Sequence, residues 1–113
     1  MALDVYIKYK DPARPDYRHP FCFQSTLLKF WWPIAEKHGL ETLRRLECLL
    51  IEDRAEAEQL VRELRFVENL LKAPDRGGVS ERTAQYTLDR LAILLRVFDG
   101  AIAEWDNVKE LSL

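Results

Sequence analysis

The sequence is poor in the residue types that mark disulfide-rich, collagen-like and low-complexity proteins. Its 113 residues include two cysteines, four glycines and five prolines. So few cysteines cannot build a disulfide-rich scaffold, and so little glycine and proline excludes collagen-like and low-complexity chains. An excess of one charge is missing as well, because 17 basic side chains stand against 19 acidic ones. This near-neutral balance disfavours nucleic acid as a partner.

Long apolar runs are also missing. No stretch approaches the roughly 20 apolar residues that a membrane span needs. Residues 1–5 do not begin a basic region followed by an apolar run, which a signal peptide would show. We therefore expect a cytoplasmic protein with two free thiols and no membrane contact.

The chain does have enough apolar residues, 48%, to build a core, and we interpret residues 1–113 as a single domain. Polar and apolar residues alternate over residues 3–9, the pattern of a half-buried strand. Three prolines within residues 11–20 predict an irregular connection. Residues 21–25 either form a second short strand or leave the first one without a neighbour.

The rest of the chain, residues 26–113, predicts a bundle of about four helices, so that the expected fold is mainly α with a short N-terminal β segment. Asp53 and Glu56 stand at capping-box spacing, and Ser80 is a second expected helix cap. The predicted helices are, in chain order, 26–38 with a kink or interruption at Pro33 and a stop at Gly39, then 40–52, then 53–72, and last the helix that follows Ser80.

The last helix has the clearest pattern. Two apolar rows recur along it at intervals of seven residues: Ala84, Leu91, Phe98 and Trp105, and Leu88, Leu95 and Ile102. We expect Leu64, Leu91, Leu95 and Phe98 to be buried and to face one another. Gly100 lowers helix stability by roughly 1 kcal/mol, so it is interpreted as a mark of close packing or a bend.

Three consecutive aromatic residues provide a candidate partner surface. Side chains 30–32 fan over roughly 200° of a helix, so one apolar stripe cannot hold all of them. The candidate partner-binding residues are Trp31, Trp32, Tyr6, Glu56 and Glu63, the last two from the acidic helices. A homodimer would cover both the aromatic residues and the edge of an unpaired strand.

The turn before the last helix provides an alternative, an anion-binding site. Arg76, Gly77, Gly78 and Ser80 could present free backbone N–H groups, a guanidinium and a hydroxyl. The turn lacks the lysine of a P-loop and the three glycines of a dinucleotide fingerprint. The same residues also fit an ordinary glycine stop followed by a serine cap.

Other constellations are weaker. Basic residues and tyrosines interleave over residues 6–18 in the manner of a single-strand nucleic-acid platform, but aspartates share that stretch. Two histidines and two cysteines, His19, Cys22, His38 and Cys48, are too widely spaced for a zinc site, and no metal or cofactor is expected.

Without a catalytic motif, the sequence favours a non-enzymatic protein–protein interaction module. By class analogy it is comparable to small bacterial immunity or adaptor proteins, with a homodimer or another protein as partner. The alternative is a small-ligand or anion-binding protein that uses the Gly77–Gly78 turn. An enzyme built on His19, Cys22 and Asp4 is the least favoured hypothesis.

Overall fold

A four-stranded antiparallel sheet forms one layer of the fold. The computed structural model describes residues 2–113, and it is 62% helical and 19% strand. The prediction of a mainly α bundle with one or two N-terminal strands is therefore wrong, and the fold is α+β. The buried residues of the sheet and of the helices form one hydrophobic core.

The sheet draws its strands from both ends and the middle of the chain. Its strands are β1 (Ala2–Tyr9), β2 (Tyr17–Phe23), β3 (Leu50–Ile51) and β4 (Val108–Ser112), in the spatial order β2-β1-β4-β3. The strand predicted over residues 3–9 is confirmed as β1, and it lies inside the sheet between β2 and β4. Residues 17–20, expected to be irregular, belong to β2.

The sequence did not predict the first part of β2 because the strand contains Pro20, and proline cannot donate a backbone hydrogen bond to a neighbouring strand. The strand tolerates it because β2 is an edge strand and carries a bulge beside the proline. Leu3 is opposite Cys22 whereas Asp4 is opposite Pro20, which leaves Phe21 as the additional residue. Phe21 is buried in the core.

The sequence did not predict β4, because this strand contains a second bulge. Lys8 is opposite Glu110 and Tyr9 is opposite Val108, so Lys109 is the additional residue. The bulge puts Val108 and Leu111 on the core side although they are three positions apart. A search for apolar residues at every second position therefore misses this strand.

The helical elements differ from prediction mainly before residue 53. They are α1 (Gln24–Thr26), a π-helical segment (Leu27–Trp31), α2 (Trp32–His38), a 3₁₀ helix (Leu43–Cys48), α3 (Arg54–Lys72), a 3₁₀ turn (Arg76–Gly78), α4 (Glu81–Ala103) and a 3₁₀ turn (Trp105–Asn107). Within residues 2–113, none of these helices has both the length and the apolar character needed to cross a bilayer.

The interrupted helix predicted over residues 26–38 is confirmed in kind, but it begins at Gln24, and the irregular segment, Leu27–Trp31, precedes Pro33. A π-helical segment leads directly into the turn that contains Pro33, which lacks the N–H of a regular helical bond. Gly39 ends α2 at φ 66°, in the left-handed region that favours glycine.

The helix predicted over residues 40–52 is wrong. Its leucines recur every three residues, which is the period of a 3₁₀ helix rather than an α-helix. The members of this row are buried: Leu40, Leu43, Leu46 and Leu49. The 3₁₀ helix ends at Cys48, and the chain continues directly into β3.

The two long helices are confirmed with their caps. An Asp53 carboxylate oxygen accepts a hydrogen bond from the Glu56 N–H at 2.8 Å, and the Ser80 hydroxyl accepts one from the Thr83 N–H at 3.3 Å. The four residues expected in the core, Leu64, Leu91, Leu95 and Phe98, are all buried. Trp105 continues the sequence pattern but lies half-buried in the 3₁₀ turn beyond α4.

Candidate functional site: a groove between the β1–β2 hairpin and α4

A concave surface of the molecule lies between the β1–β2 hairpin and the second half of α4. It is an open groove of about 450 Å³, a size that accommodates a small ligand or a few side chains of a partner. The hairpin contributes Tyr9, Arg14 and Tyr17. The other lining residues come from α4 and from the residue that caps its C-terminus: Ile93, Arg96, Val97, Gly100, Ala101 and Glu104.

Helix periodicity accounts for the α4 wall. Ile93, Val97, Gly100 and Glu104 follow one another at spacings of three or four residues, so they share one flank of the helix beside its buried stripe. A turn places Arg14 opposite them. The Asp11 carboxylate accepts from the Ala13 N–H at 2.9 Å, and the Asp11 carbonyl accepts from the Arg14 N–H at 3.1 Å.

Arg14 is held by two contacts at one end of the groove. Its guanidinium lies over the Tyr9 ring, 3.5 Å from the ring centroid. It also donates a hydrogen bond to the Glu104 carboxylate. The hairpin and the end of α4 are thus joined through one arginine.

Arg96 has no such partner. Within the described residues, no carboxylate lies within ion-pair distance of its guanidinium. The two acidic residues that next follow Arg96 in the chain are engaged elsewhere, Asp99 with Arg65 and Glu104 with Arg14. The groove therefore has an uncompensated positive charge on its α4 wall.

Gly100 leaves the floor of the groove open. A Cβ at this position would meet no heavy atom of residues 2–113 within 4 Å, apart from the local backbone of its own helix, and the φ of Gly100 is not positive. Of the two interpretations of Gly100, close packing is therefore wrong, and a bend of α4 stays a prediction. Neither strain nor crowding explains a glycine that weakens the helix by roughly 1 kcal/mol.

The predicted aromatic surface is mostly internal. Trp31 is only 2% exposed and packs at 5.0–5.2 Å, ring centroid to centroid, against Phe30 and Phe21. Trp32 is half-buried, and it lines a separate, smaller cleft with Glu36 and Arg44. As predicted from the spread of side-chain directions, the three consecutive rings are not all part of the buried stripe: Phe30 and Trp31 are buried, and Trp32 is at its margin.

The two acidic residues predicted to bind a partner, Glu56 and Glu63, form hydrogen bonds within the chain instead. Glu63 is buried and accepts hydrogen bonds from the Thr42 N–H at 3.2 Å, the Leu43 N–H at 3.0 Å and the Gln59 amide at 2.9 Å. It therefore holds the start of the 3₁₀ helix against α3. Glu56 completes the cap of α3 by accepting from the Glu52 N–H at 3.0 Å.

Tyr6 lies on the face of the sheet opposite the core. It alternates with the buried residues Val5 and Ile7, and its hydroxyl donates to an Asp16 carboxylate oxygen at 2.6 Å. This hydrogen bond requires the protonated phenol, and it raises the pKa of Tyr6. Tyr6 is not among the residues that line the groove.

The backbone N–H groups of the glycine turn donate hydrogen bonds within the turn itself. The Asp75 carboxylate accepts from the Gly77 N–H at 3.3 Å, and the Asp75 carbonyl accepts from the Gly78 N–H at 2.9 Å. A Cβ at Gly77 would lie 2.8 Å from the Leu70 side chain, so packing as well as its φ of 61° requires glycine there. Ser80 caps α4. Of the donors predicted for the anion site, the Arg76 side chain is left, and its buried Nε has no hydrogen-bond partner in residues 2–113.

The remaining candidates do not form a reactive site. Cys22 is half-buried on β2, and burial raises the pKa of its thiol to about 11, opposite to what a nucleophilic cysteine needs. Cys22 and Cys48 are both free. In the part of the chain that the structure describes, no three histidine, cysteine, aspartate or glutamate side chains are grouped to hold a metal ion.

Comparison of the chain with protein-family models, with curated proteins and with solved structures finds no match. The groove is therefore characterised by its own residues. Three of its nine lining residues, Tyr9, Arg14 and Tyr17, belong to the stretch that the sequence offered only as a weak nucleic-acid platform. The α4 wall was missed, and its one visible signal was a glycine inside an otherwise regular helix.

Proposed function

We propose that the protein is a non-enzymatic protein–protein interaction module and that the groove between the hairpin and α4 is its binding surface. Gly100 carries this proposal. It weakens α4, and neither backbone strain nor crowding in the described residues requires it. A partner that enters the groove requires the space that a side chain would fill.

The composition of the groove supports a binding role over a catalytic one. Tyrosine and arginine are the residue types that dominate protein interfaces, and both occur on its walls. Ile93 is 40% exposed and offers apolar surface. Among the described residues that line the groove, there is no histidine or cysteine, and the carboxylate of Glu104 is engaged by Arg14.

Another protein, rather than a second copy, is the partner that we propose. The sequence offered two reasons for a homodimer, an unpaired first strand and exposed tryptophans. β1 is paired on both sides and Trp31 is buried, so both needs are met within one chain. Two free thiols support our further proposal of a cytoplasmic protein of the immunity or adaptor type. The alternative, anion binding at Gly77–Gly78, is disfavoured because Asp75 already accepts hydrogen bonds from the N–H groups of both glycines.

Selection from a random peptide library displayed on phage tests the proposal. Gly100→Leu adds a side chain inside the groove at a position where its Cβ meets no neighbour, whereas Ala92→Leu adds the same side chain at an exposed position of α4 outside it. We expect peptides that bind the unmodified protein and Ala92→Leu but lose binding to Gly100→Leu. Peptides that bind all three alike, or no enriched peptide at all, would contradict the proposal.

Sedimentation equilibrium at micromolar concentration tests the choice of partner. We expect the mass of one chain, 13.3 kDa, across the concentration range. A mass of two chains that reverts to one in Gly100→Leu would identify a second copy as the occupant of the groove.

A further inference from the structure

We propose that the groove selects partner segments that carry a carboxylate side chain next to an apolar one, with Arg96 as the receptor and Glu104 as an internal competitor. This inference rests on the proposed function, because it names the chemistry of the segment that occupies the same groove.

Charge complementarity is the first argument. The chain as a whole has a formal net charge of −2, but the groove has two arginines against one glutamate. Glu104 compensates Arg14, whereas Arg96 has no acidic partner in residues 2–113. A guanidinium offers a planar pair of donors that matches a carboxylate. The groove therefore lacks one negative charge, and a partner carboxylate supplies it.

The exposure of the Arg14–Glu104 pair is the second argument. The two side chains are 41% and 37% exposed, and exposed ion pairs contribute little to stability. A partner carboxylate can therefore compete with Glu104 for Arg14. The stacking on Tyr9 keeps the Arg14 guanidinium in position when Glu104 is displaced.

The apolar wall distinguishes a protein segment from a free anion. Tyr17 and Ile93 expose apolar surface beside the arginines, and the open floor at Gly100 leaves room next to Val97. A free carboxylate or phosphate would leave this surface uncovered. A segment that alternates acidic with aromatic or aliphatic residues would cover it and reach Arg96 at the same time.

A peptide titration tests the inference. The probe is a blocked pentapeptide of alternating glutamate and phenylalanine, and the matched probes replace glutamate by glutamine or by lysine. Binding is followed by amide chemical shifts of the labelled full chain. We expect the glutamate peptide to bind at least about tenfold more tightly than the glutamine peptide, since hydrogen bonds to charged groups are the stronger ones. Gly100→Leu should abolish this binding.

Two variants give effects of opposite sign. Arg96→Gln should weaken binding of the glutamate peptide about tenfold, whereas Glu104→Gln should tighten it about threefold because the internal competitor is removed. Arg45→Gln removes another exposed arginine, one that does not line the groove, and should change the affinity by less than about twofold. A purely structural role of Glu104 would instead weaken binding.

The outcomes separate this inference from the proposed function. Groove-dependent peptides from the library selection that show no acidic preference, or a pentapeptide affinity that Arg96→Gln leaves unchanged, would overturn the inference and leave the proposed function intact. Failure of the library selection itself would overturn both. Acetate or inorganic phosphate that competes with the peptide at equal concentration would show a site for free anions, and the role of a protein segment would then be rejected.

Discussion

The two flanks of α4 differ in how completely they are filled. On the flank toward α3, Leu95 is buried, and Asp99 accepts a hydrogen bond from Arg65 at 2.8 Å. On the flank toward the hairpin, Ile93 is 40% exposed, Arg96 is unpaired among the described residues, and Gly100 leaves an open floor. One helix therefore stabilises the fold with one flank and leaves the other available to a ligand.

Truncating apolar side chains of α4 to alanine should give the largest difference in stability between the buried interior and the open flank. Leu91→Ala should lower the free energy of unfolding by about 2–5 kcal/mol, because Leu91 is fully buried and its removal leaves a cavity. Ile93→Ala, two residues further along the same helix, should lower it by less than about 1 kcal/mol. Urea titrations of both variants measure the difference, and equal losses would show that the two flanks are packed alike.

The buried carboxylate of α3 should have the next largest effect. Glu63→Ala leaves the N–H groups of Thr42 and Leu43 without their acceptor, which should cost about 2–3 kcal/mol. Glu58→Ala on the same helix removes a carboxylate from an exposed pair with Arg54, so its expected effect is below about 1 kcal/mol. If thermal unfolding shows similar losses for both, Glu63 does not hold the 3₁₀ helix.

Two glycines with equally open surroundings should respond with opposite signs. Gly100→Ala should stabilise the protein by about 0.5–1 kcal/mol, because alanine favours a helix and no clash results. Gly78→Ala should destabilise it, because the φ of Gly78 is 81°. Denaturant titration measures both effects. A loss of stability in Gly100→Ala would mean that the fold itself requires this glycine.

Replacing the arginines on the two flanks of α4 should give the smallest difference in stability. Arg65→Gln breaks the exposed pair with Asp99 and should cost about 0.2–1 kcal/mol at low salt. This loss should shrink at high salt because ions screen exposed charges. Arg96→Gln should change the stability by less than about 0.5 kcal/mol at either salt concentration. A salt-dependent loss in Arg96→Gln would reveal an ion pair on the open flank.

Local patterns in the sequence were sufficient for the elements that local forces decide. The alternation over residues 3–9 predicted β1, and the caps at Asp53 and Ser80 with their apolar stripes predicted α3 and α4. Burial of the Leu91 and Phe98 row followed from the same periodicity. Caps and stripes involve neighbours within one or two turns, so the sequence by itself determines them.

Tertiary structure decided the sheet and the groove. Two bulges, at Phe21 and Lys109, shift the strand register where distant strands meet, and this removes the alternation that a single strand would show. The groove depends on a still longer connection, because Arg14 and Glu104 are 90 positions apart. No local pattern specifies that a turn after β1 will face the end of α4. The packing of the sheet against the helices brings these residues together. Among the described residues, it leaves open space at the Cβ position of Gly100 and no carboxylate partner for Arg96.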